Sequence, residues 1–215
     1  MKLSILICTV PGREEKLSRV LSILEPHAVD RPVEVLVLRD NRRRSIGEKR
    51  NALMKMARGE FVSFVDDDDE LSPLYVEKIL DALEPDKENG VPHLVTFEVW
   101  VTGYEGMGYH PRTTRFSTRY DREDNLDGEF RRYPNHIMVW RKEIADQFPF
   151  DDISFGEDGR RAERMRSYIT DDRKIVNIEE VLYWYRLDPR DSATMRGGSL
   201  ANPRRLARQQ RRGHR

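Results

Sequence analysis

A run of acidic residues follows an apolar segment in the first third of the sequence. Four aspartates, Asp66, Asp67, Asp68 and Asp69, come directly after the apolar residues 61–65. Carboxylates this close repel one another unless a cation or hydrogen-bond donors offset their charge. Carboxylate oxygens are ligands that Mg²⁺ and Mn²⁺ prefer. Because alternate side chains of an extended segment face the same way, Asp66 and Asp68 are the predicted cation ligands. The alternative is a solvated acidic loop whose last aspartate caps the next helix.

The elements around this run predict that it lies where α/β sheets bind ligands. Continuous apolar segments predict central parallel strands at 3–10, 33–38 and 61–65. Apolar residues three and four positions apart predict helices at 17–24, 45–59 and 72–83. Ser45 and Glu48 form a capping box, and we expect the first helix to end before Pro26. The alternation predicts a mostly parallel sheet, and open sheets of this kind bind ligands at the carboxyl ends of their strands.

The second half of the sequence is less regular. Its composition predicts strands at 93–101 and 136–140, helices at 141–147 and 157–168, and a late pair of strands at 174–178 and 181–187. Residues 103–127 are rich in Gly, Arg and Asp and show little periodicity. We therefore expect a long loop there.

Composition excludes several classes of protein. The 215 residues allow one domain or two small ones, and the 38% of hydrophobic residues fall in periodic runs that argue against global disorder. A single cysteine, Cys8, excludes an internal disulfide and a Cys-rich zinc site. The first apolar segment is too short to span a bilayer and lacks the features of a signal peptide. We expect a cytoplasmic protein without membrane insertion.

The net charge of zero hides an asymmetry along the chain. Residues 196–215 hold seven arginines and no acid, whereas the other 195 residues hold 31 basic and 38 acidic side chains. We expect residues 196–215 to form a disordered basic tail. The partners that such a tail attracts are polyanions, namely DNA, RNA or anionic lipid headgroups. The alternative is a tail that only solubilises the chain or contacts the acidic body of another subunit.

Several motifs, taken in order, resemble those of glycosyltransferase family 2, whose members have the nucleotide-sugar-binding GT-A fold. The strand at 4–9 and the strand at 33–40, which ends in an acid, match first. Lys49-Arg50-Asn51 and the segment 59–69, with its D-x-D motif, follow. Glu157-Asp158 resembles the family's E-D motif, and residues 183–186 resemble its late Tyr-rich strand. The resemblance implies a three-layer α/β/α, GT-A-like domain at 1–195, with a nucleotide-binding half at 1–90 and an acceptor half at 91–195.

The resemblance also implies a role for each matched residue. The donor, a nucleotide-diphosphate sugar, would be bound by Thr9, Arg13, Asp40, Arg50, Asn51, Asp66 and Asp67. Among these, Thr9, Arg13 and Asp40 would lie near the base and Arg50 beside the diphosphate. A Mn²⁺ or Mg²⁺ ion on Asp68 and Asp66 would neutralise the leaving diphosphate. Asp158, with Glu157 as its neighbour, would remove the proton of the acceptor hydroxyl.

Each candidate also has a structural interpretation that the residues alone leave open. Asp40 suits a turn, Arg50 a surface ion pair, and Glu157 and Asp158 the first turn of a helix. His136 either lines the acceptor cleft or is structural. One residue among Asp188, Asp191 and Ser192 is a further candidate for the metal site.

The resulting prediction is a metal-dependent, inverting transfer of one sugar to an acceptor hydroxyl. The sequence lacks the Q-x-x-R-W motif of the family's polymerising members. The acceptor that we consider is a hydroxymethylated base in DNA, because the tail is basic and six further arginines could form a basic rim, at positions 112, 115, 119, 122, 131 and 132. The alternatives are a sugar-phosphate nucleotidyltransferase and a non-catalytic nucleic-acid-binding protein on the same fold. The former needs a Gly-rich basic loop where only Pro11-Gly12-Arg13 stands.

Overall fold

The computed structural model describes residues 1–102, 110–126, 128–169 and 171–186. Within these residues, ten strands form one mixed sheet and five α-helices accompany it. The first half contains β1 (Leu3–Thr9), α1 (Glu14–Asp30), β2 (Val33–Arg39), α2 (Ile46–Met56), β3 (Phe61–Phe64), β4 (Glu70–Leu71) and α3 (Tyr75–Ala82). The second half contains β5 (Leu94–Thr102), β6 (Arg112–Phe116), β7 (Asp124–Asn125), β8 (Glu129–Arg132), β9 (Val139–Arg141), α4 (Lys142–Ala145), α5 (Glu157–Arg166) and β10 (Ile175–Arg186).

The sheet places β1 between β2 and β3, both parallel to it. The order continues through β9, β5, β6, β8 and β7, and β10 lies parallel to β5. The parallel pairings join four to nine residue pairs each, whereas the antiparallel ones join two or three. The predicted mixed, mostly parallel α/β sheet is therefore confirmed. Leu3, Ile5, Leu6 and Ile7 of β1 are all fully buried, and because neighbouring residues point to opposite faces, both faces of this strand are covered.

The first half agrees with the sequence pattern except at Pro26. The N-cap predicted at Ser45 is confirmed, since Ser45 Oγ accepts the backbone N–H of Glu48 at 3.0 Å. The prediction that the first helix ends before Pro26 is wrong, because α1 runs on to Asp30. Proline removes one backbone donor but has a helical φ angle, and the buried Val20 and Leu24 hold the helix against the core.

The second half holds more strand than the sequence pattern predicts. Two strands, β6 and β7, lie within the long loop expected at 103–127; residues 103–109 and 127 are outside the described ranges. The predicted late strand pair is instead the single strand β10, and register shifts between Ile178 and Tyr183 absorb its irregular centre. Strands β6 and β7 are short and consist almost entirely of polar and charged residues, so they lack the apolar run that marks β1 to β3.

Two sequence predictions fall outside the described residues. These are the basic tail at 196–215 and the further metal-site candidates Asp188, Asp191 and Ser192. In the described part of the chain, no helix combines the length and the hydropathy that crossing a bilayer requires.

Gly47, at the start of α2, is expected to tolerate no side chain. A Cβ there would lie 1.8 Å from the backbone oxygen of Asp151, in the segment that leads to α5. We expect Gly47→Ala to lower the free energy of unfolding by about 1–3 kcal/mol, since overpacking displaces backbone. Gly159→Ala, in α5, is the matched control because a Cβ at Gly159 meets no atom within 4 Å. Urea unfolding compares the two, and an equal effect of both substitutions would contradict this packing.

Candidate active site

The carboxyl ends of β1 and β3 open into a cavity of about 450 Å³. Because β1 and β3 are parallel neighbours, Cys8 near the end of one strand and Asp66 after the other lie at the same edge of the sheet. Helix α2 contributes Arg50, and the start of α5 contributes Glu157 and Asp158. The cavity thus joins the acidic run to the E-D motif, which is more than 80 residues further along the chain.

Arg50 links these two acidic groups. Its Nη1 lies 2.6 Å from Glu157 Oε1, and its Nη2 lies 3.3 Å from Asp66 Oδ1. The guanidinium is buried, with the rings of Phe64 and Phe150 centred 5.6 and 5.4 Å away. Burial alone would lower the pKa of Arg50, but the carboxylates of Asp66 and Glu157 raise it. Arg50 therefore acts as a buried ionic link, and its donors are directed at protein carboxylates.

Arg13 pairs with the middle of the acidic run. Its Nη1 lies 2.5 Å from Asp67 Oδ1 and 3.0 Å from Asp68 Oδ2. Asp67 is buried, and its Oδ2 has no hydrogen-bond partner among the described residues. Burial and the adjacent carboxylate of Asp66 raise the pKa of Asp68 to about 6. Asp68 is therefore a carboxyl whose charged form is disfavoured despite its contact with Arg13.

Asp69, the last aspartate of the run, has a structural role. Asp69 is buried, and its Oδ2 accepts the Tyr183 hydroxyl at 2.7 Å while its Oδ1 accepts the backbone N–H of Arg186 at 2.9 Å. The Tyr183 oxygen in turn accepts the backbone N–H of Asp66 at 3.1 Å. Burial and the carboxylates of Asp66 and Asp68 raise the pKa of Asp69 well above its usual value. Asp69 therefore fixes β10 against the acidic run, and it does not line the cavity.

The two acids of the E-D motif differ in environment. Gly156 takes the left-handed conformation, with φ of 78°, and α5 begins directly after it. Glu157 is buried against Arg50, and burial raises its pKa despite that arginine. Asp158 is partly exposed in the cavity, with its Oδ2 3.5 Å from Nδ1 of the buried His136. Asp158 is therefore the acid of this pair that reaches open space.

Three other predicted donor-binding residues lie beside the cavity and are not among the residues that line it. Thr9 is buried at the end of β1, and its carbonyl accepts the backbone N–H of Asp40 at 3.3 Å. Burial would raise the pKa of Asp40, but the backbone N–H of Arg44 and the ammonium of Lys49 lower it. The amide of Asn51 donates to the carbonyl of Phe150 and accepts its backbone N–H, with both hydrogen bonds at 2.9 Å.

Part of the cavity wall is apolar, and this apolar part was not predicted from the sequence. It comes from Val99 and Val101 of β5, Phe116 of β6 and Phe130 of β8, and the rim includes the exposed Phe155. Strand β6, with the sequence RTTRF, has a single apolar residue, so its pattern gave no signal for this surface. The cavity is thus lined by apolar side chains of β5, β6 and β8 as well as by carboxylates.

The six arginines that the sequence offered as a basic rim are paired with protein groups. Arg115, Arg119, Arg122 and Arg131 form ion pairs with Glu98, Asp172, Asp124 and Glu129, respectively. Arg112 donates to the carbonyl of Leu126 at 2.9 Å, and Arg132 donates to Asn125 Oδ1 at 2.6 Å. Part of their charge is therefore offset within the protein, and a basic rim around the cleft stays a prediction.

The raised pKa of Asp68 predicts a pH-dependent cost in stability. The usual aspartate pKa is about 3.9, so between roughly pH 4 and 6 the folded protein retains a proton that the unfolded chain has lost. Stability supplied by neutral Asp68 is therefore present below about pH 4 and is lost as the pH rises through about 6. We expect Asp68→Asn to raise the free energy of unfolding by about 1–3 kcal/mol at pH 8 and to leave it unchanged at pH 4.

Urea unfolding of both proteins at the two pH values, in EDTA, makes this comparison. The exposed Asp30, changed to Asn, is the matched control. An equal gain from Asp68→Asn at pH 4 and pH 8 would show that the carboxylate is not destabilised in the folded protein.

Comparison with solved structures identifies similar folds. The 1–349 segment of S. aureus TarS in complex with UDP has a TM-score of 0.59 and 16% identity over 89% of this chain and 62% of that one. The same segment in complex with UDP-GlcNAc has a TM-score of 0.62 and 14% identity, covering 93% and 62%. Glucosyl-3-phosphoglycerate synthase from Mycobacterium tuberculosis, in complex with Mn²⁺, UDP and glucosyl-3-phosphoglycerate, has a TM-score of 0.59 and 15% identity, covering 88% and 74%.

These likenesses confirm the predicted GT-A-like fold. The chain spans about three fifths of the TarS segment that it matches. Comparison with curated proteins gives no significant match. The model of the family described as glycosyl transferase family 2 matches residues 18–148, which is more than half of the chain and includes the acidic run and His136. The chain therefore belongs to glycosyltransferase family 2.

Proposed function

We propose that the chain transfers a single sugar from a nucleotide-diphosphate donor to an acceptor hydroxyl in this cavity. The observation that carries the proposal is the meeting of Asp66, Asp67 and Asp68 with Asp158 around one open space of about 450 Å³. The solved structures of similar fold are complexes with UDP or UDP-GlcNAc, and one of them also contains Mn²⁺. UDP sugars are therefore the first donors to test. Family membership favours sugar transfer over the nucleotidyl transfer considered above.

The residues present fit a divalent cation that arrives with the nucleotide. In residues 1–102, 110–126, 128–169 and 171–186, no three His, Cys, Asp or Glu side chains form a ready-made cation site. Magnesium is commonly held by only one or two carboxylates, with substrate phosphates completing its shell. Asp68 and Asp66 would hold Mn²⁺ or Mg²⁺, and the buried Oδ2 of Asp67, which lacks a hydrogen-bond partner among the described residues, supports a missing ligand in this region. When bound, the cation supplies Lewis-acid stabilisation of the leaving diphosphate.

The protein's own groups divide the remaining work. The pairing of Arg13 with Asp67 and Asp68 supports a role at the diphosphate instead of the base, and the pairing of Arg50 with Asp66 and Glu157 supports a role in fixing those acids instead of direct contact with the diphosphate. Asp158 accepts the proton of the acceptor hydroxyl as that oxygen attacks the anomeric carbon. Attack from the side opposite the diphosphate inverts that carbon. Because Glu157 is held by Arg50, it orients the start of α5, and Asp158 is the acid that acts as the base.

Thr9 and Asp40 lie at neighbouring strand ends beside the cavity, where they are placed to receive the base of the donor. Asn51 contributes indirectly, because it fixes the backbone of Phe150, whose ring packs on Arg50. We keep the division into a nucleotide-binding half at 1–90 and an acceptor half at 91–195 as part of this proposal. The cytoplasmic location also stays a prediction.

A thermal-shift panel tests the donor. Nucleoside diphosphates and their sugars are added with Mn²⁺, with Mg²⁺ or with EDTA. At a concentration about 100 times Kd, a ligand stabilises by about 2.7 kcal/mol, which raises the Tm of a chain this long by roughly 5–10 °C. We expect UDP or a UDP sugar to do so only with the cation. No shift with any nucleotide would contradict the proposal.

We propose a hydroxymethylated base in DNA as the acceptor, supported by the seven arginines at 196–215 and the apolar wall at Val99 and Phe116. Truncation after Met195 is expected to weaken duplex binding and to flatten its salt dependence, because each lost phosphate contact reduces the slope of log K against log[salt] by about 0.9. Fluorescence anisotropy at several salt concentrations measures this slope. An unchanged slope would remove the support for a DNA acceptor.

A further inference from the structure

We infer that His136 is a positioning residue that connects the donor-side carboxylate of Asp66 to the base Asp158; the inference rests on the function proposed above. The imidazole is 94% buried and lies between the two acids. Its Nε2 is 3.5 Å from Asp66 Oδ2, and its Nδ1 is 3.5 Å from Asp158 Oδ2. The two acids come from different elements, so this ring is a direct bridge between the end of β3 and the start of α5.

The position of the ring is set by β3. The carbonyl of His136 accepts the backbone N–H of Phe64 at 3.0 Å, and the imidazole packs at a tilt against the Phe64 ring, with centroids 6.2 Å apart. Phe64 is the last residue of β3, two residues before Asp66. The strand that leads into the acidic run therefore also positions the ring of His136, which reaches Asp158.

Asp158 depends on this ring for its orientation. Its Oδ1 accepts the backbone N–H of Gly159 at 2.8 Å, which leaves Oδ2 as the oxygen directed at His136. Nδ1 of His136 is buried and has no hydrogen-bond partner of good geometry among the described residues. Both 3.5 Å contacts are long for hydrogen bonds. Such contacts at active sites are often long without substrate and shorten in the substrate complex.

The bridge parallels the one made by Arg50. Arg50 connects Asp66 to Glu157, whereas His136 connects Asp66 to Asp158. Each acid of the E-D motif is thus held to the acidic run by a separate side chain. A base held by a third group keeps its lone pair aimed at the reacting hydroxyl, and outer partners of this kind are commonly worth 10- to 100-fold in activity.

Two substitutions separate the two ends of the bridge. The amide of asparagine is as many bonds from Cβ as Nδ1 of histidine, so His136→Asn keeps a polar atom near Asp158. The amide nitrogen of glutamine corresponds in the same way to Nε2, so His136→Gln keeps a donor near Asp66. We measure UDP release from UDP-glucose and UDP-GlcNAc with Mn²⁺, with water as the acceptor.

His136→Gln is expected to lower kcat by about 10- to 100-fold with the donor KM within about twofold. His136→Asn is expected to keep kcat within about threefold and to raise the donor KM. Equal losses of kcat in both variants, in proportion to their loss of Tm, would overturn the inference, because a purely structural histidine predicts that result.

A second measurement does not need turnover. In protein labelled with ¹⁵N-histidine, the imidazole resonances missing from His136→Gln identify this residue. We expect Asp158→Asn to shift mainly Nδ1 and Asp66→Asn to shift mainly Nε2. No shift in either variant would overturn the bridge. Both shifts in a protein that binds no nucleotide in the thermal-shift panel would support the bridge and contradict the proposed function.

Discussion

Asp158→Asn is expected to lower kcat for sugar transfer by about 10²- to 10⁴-fold, the usual contribution of a positioned general base. The amide keeps the shape of the carboxylate but cannot accept the hydroxyl proton. Asp158 is the partly exposed acid of the E-D motif, whereas Glu157 is buried 2.6 Å from Arg50. Binding of UDP with Mn²⁺ is expected to stay within about twofold, because the base does not contact the nucleotide. Steady-state kinetics and calorimetry measure the two quantities.

The matched control is Glu163→Gln, an exposed acid on the same helix that pairs only at the surface with Arg166. We expect it to change kcat by less than twofold. If Asp158→Asn retained more than a third of the activity, another group would have to be the base. A loss of UDP binding equal to the loss of kcat would also contradict this assignment.

Arg50→Met is expected to lower the free energy of unfolding by about 3–5 kcal/mol, because it leaves the buried Glu157 and the nearby Asp66 without their shared cation. Arg50→Lys is expected to recover only part of this loss. A single ammonium cannot reproduce the planar fork that reaches two carboxylates while stacking between Phe64 and Phe150. Urea unfolding at pH 7 measures both variants.

The control for Arg50 is Arg19→Met, whose ion pair with Glu15 is exposed and is expected to be worth less than about 1 kcal/mol. Adding Glu157→Gln to Arg50→Met is expected to restore part of the stability, since the uncompensated buried charge is then removed. An Arg50→Met effect no larger than that of Arg19→Met would contradict the buried ionic link.

The elements that were predictable are those with a one-dimensional signal. Residues 3–9 and 61–64 are nearly continuous apolar runs because both faces of these strands are covered. The helix start at Ser45 is marked by a local sequence pattern. Helix α1 beyond Pro26 was not predictable in this way, because its packing outweighs a local breaker. Strands β6 and β8 are short and rich in charged residues, so no apolar period reveals them.

For the site residues, the sequence indicates which residue types could act but not which partners they bind. Asp66, Asp67, Asp68 and Asp158 could be selected as acids at strand and helix ends. The use of Asp69 to hold Tyr183, and of Arg50 to hold Glu157, depends on residues more than 100 positions away. The amide of Asn51 likewise donates a hydrogen bond to the distant backbone of Phe150. Such pairings follow from the fold, and no spacing in the sequence encodes them.

Crystals of the protein soaked with UDP and Mn²⁺, measured at the manganese absorption edge, show whether a cation joins Asp68 to the diphosphate. We expect one anomalous peak in the cavity, about 2.0–2.3 Å from a carboxylate oxygen of Asp68 and in contact with the diphosphate. Crystals soaked with Mn²⁺ alone should lack this peak, since the described part of the chain offers no three-ligand site. UDP bound in the cavity with no manganese beside Asp66 or Asp68 would contradict the account.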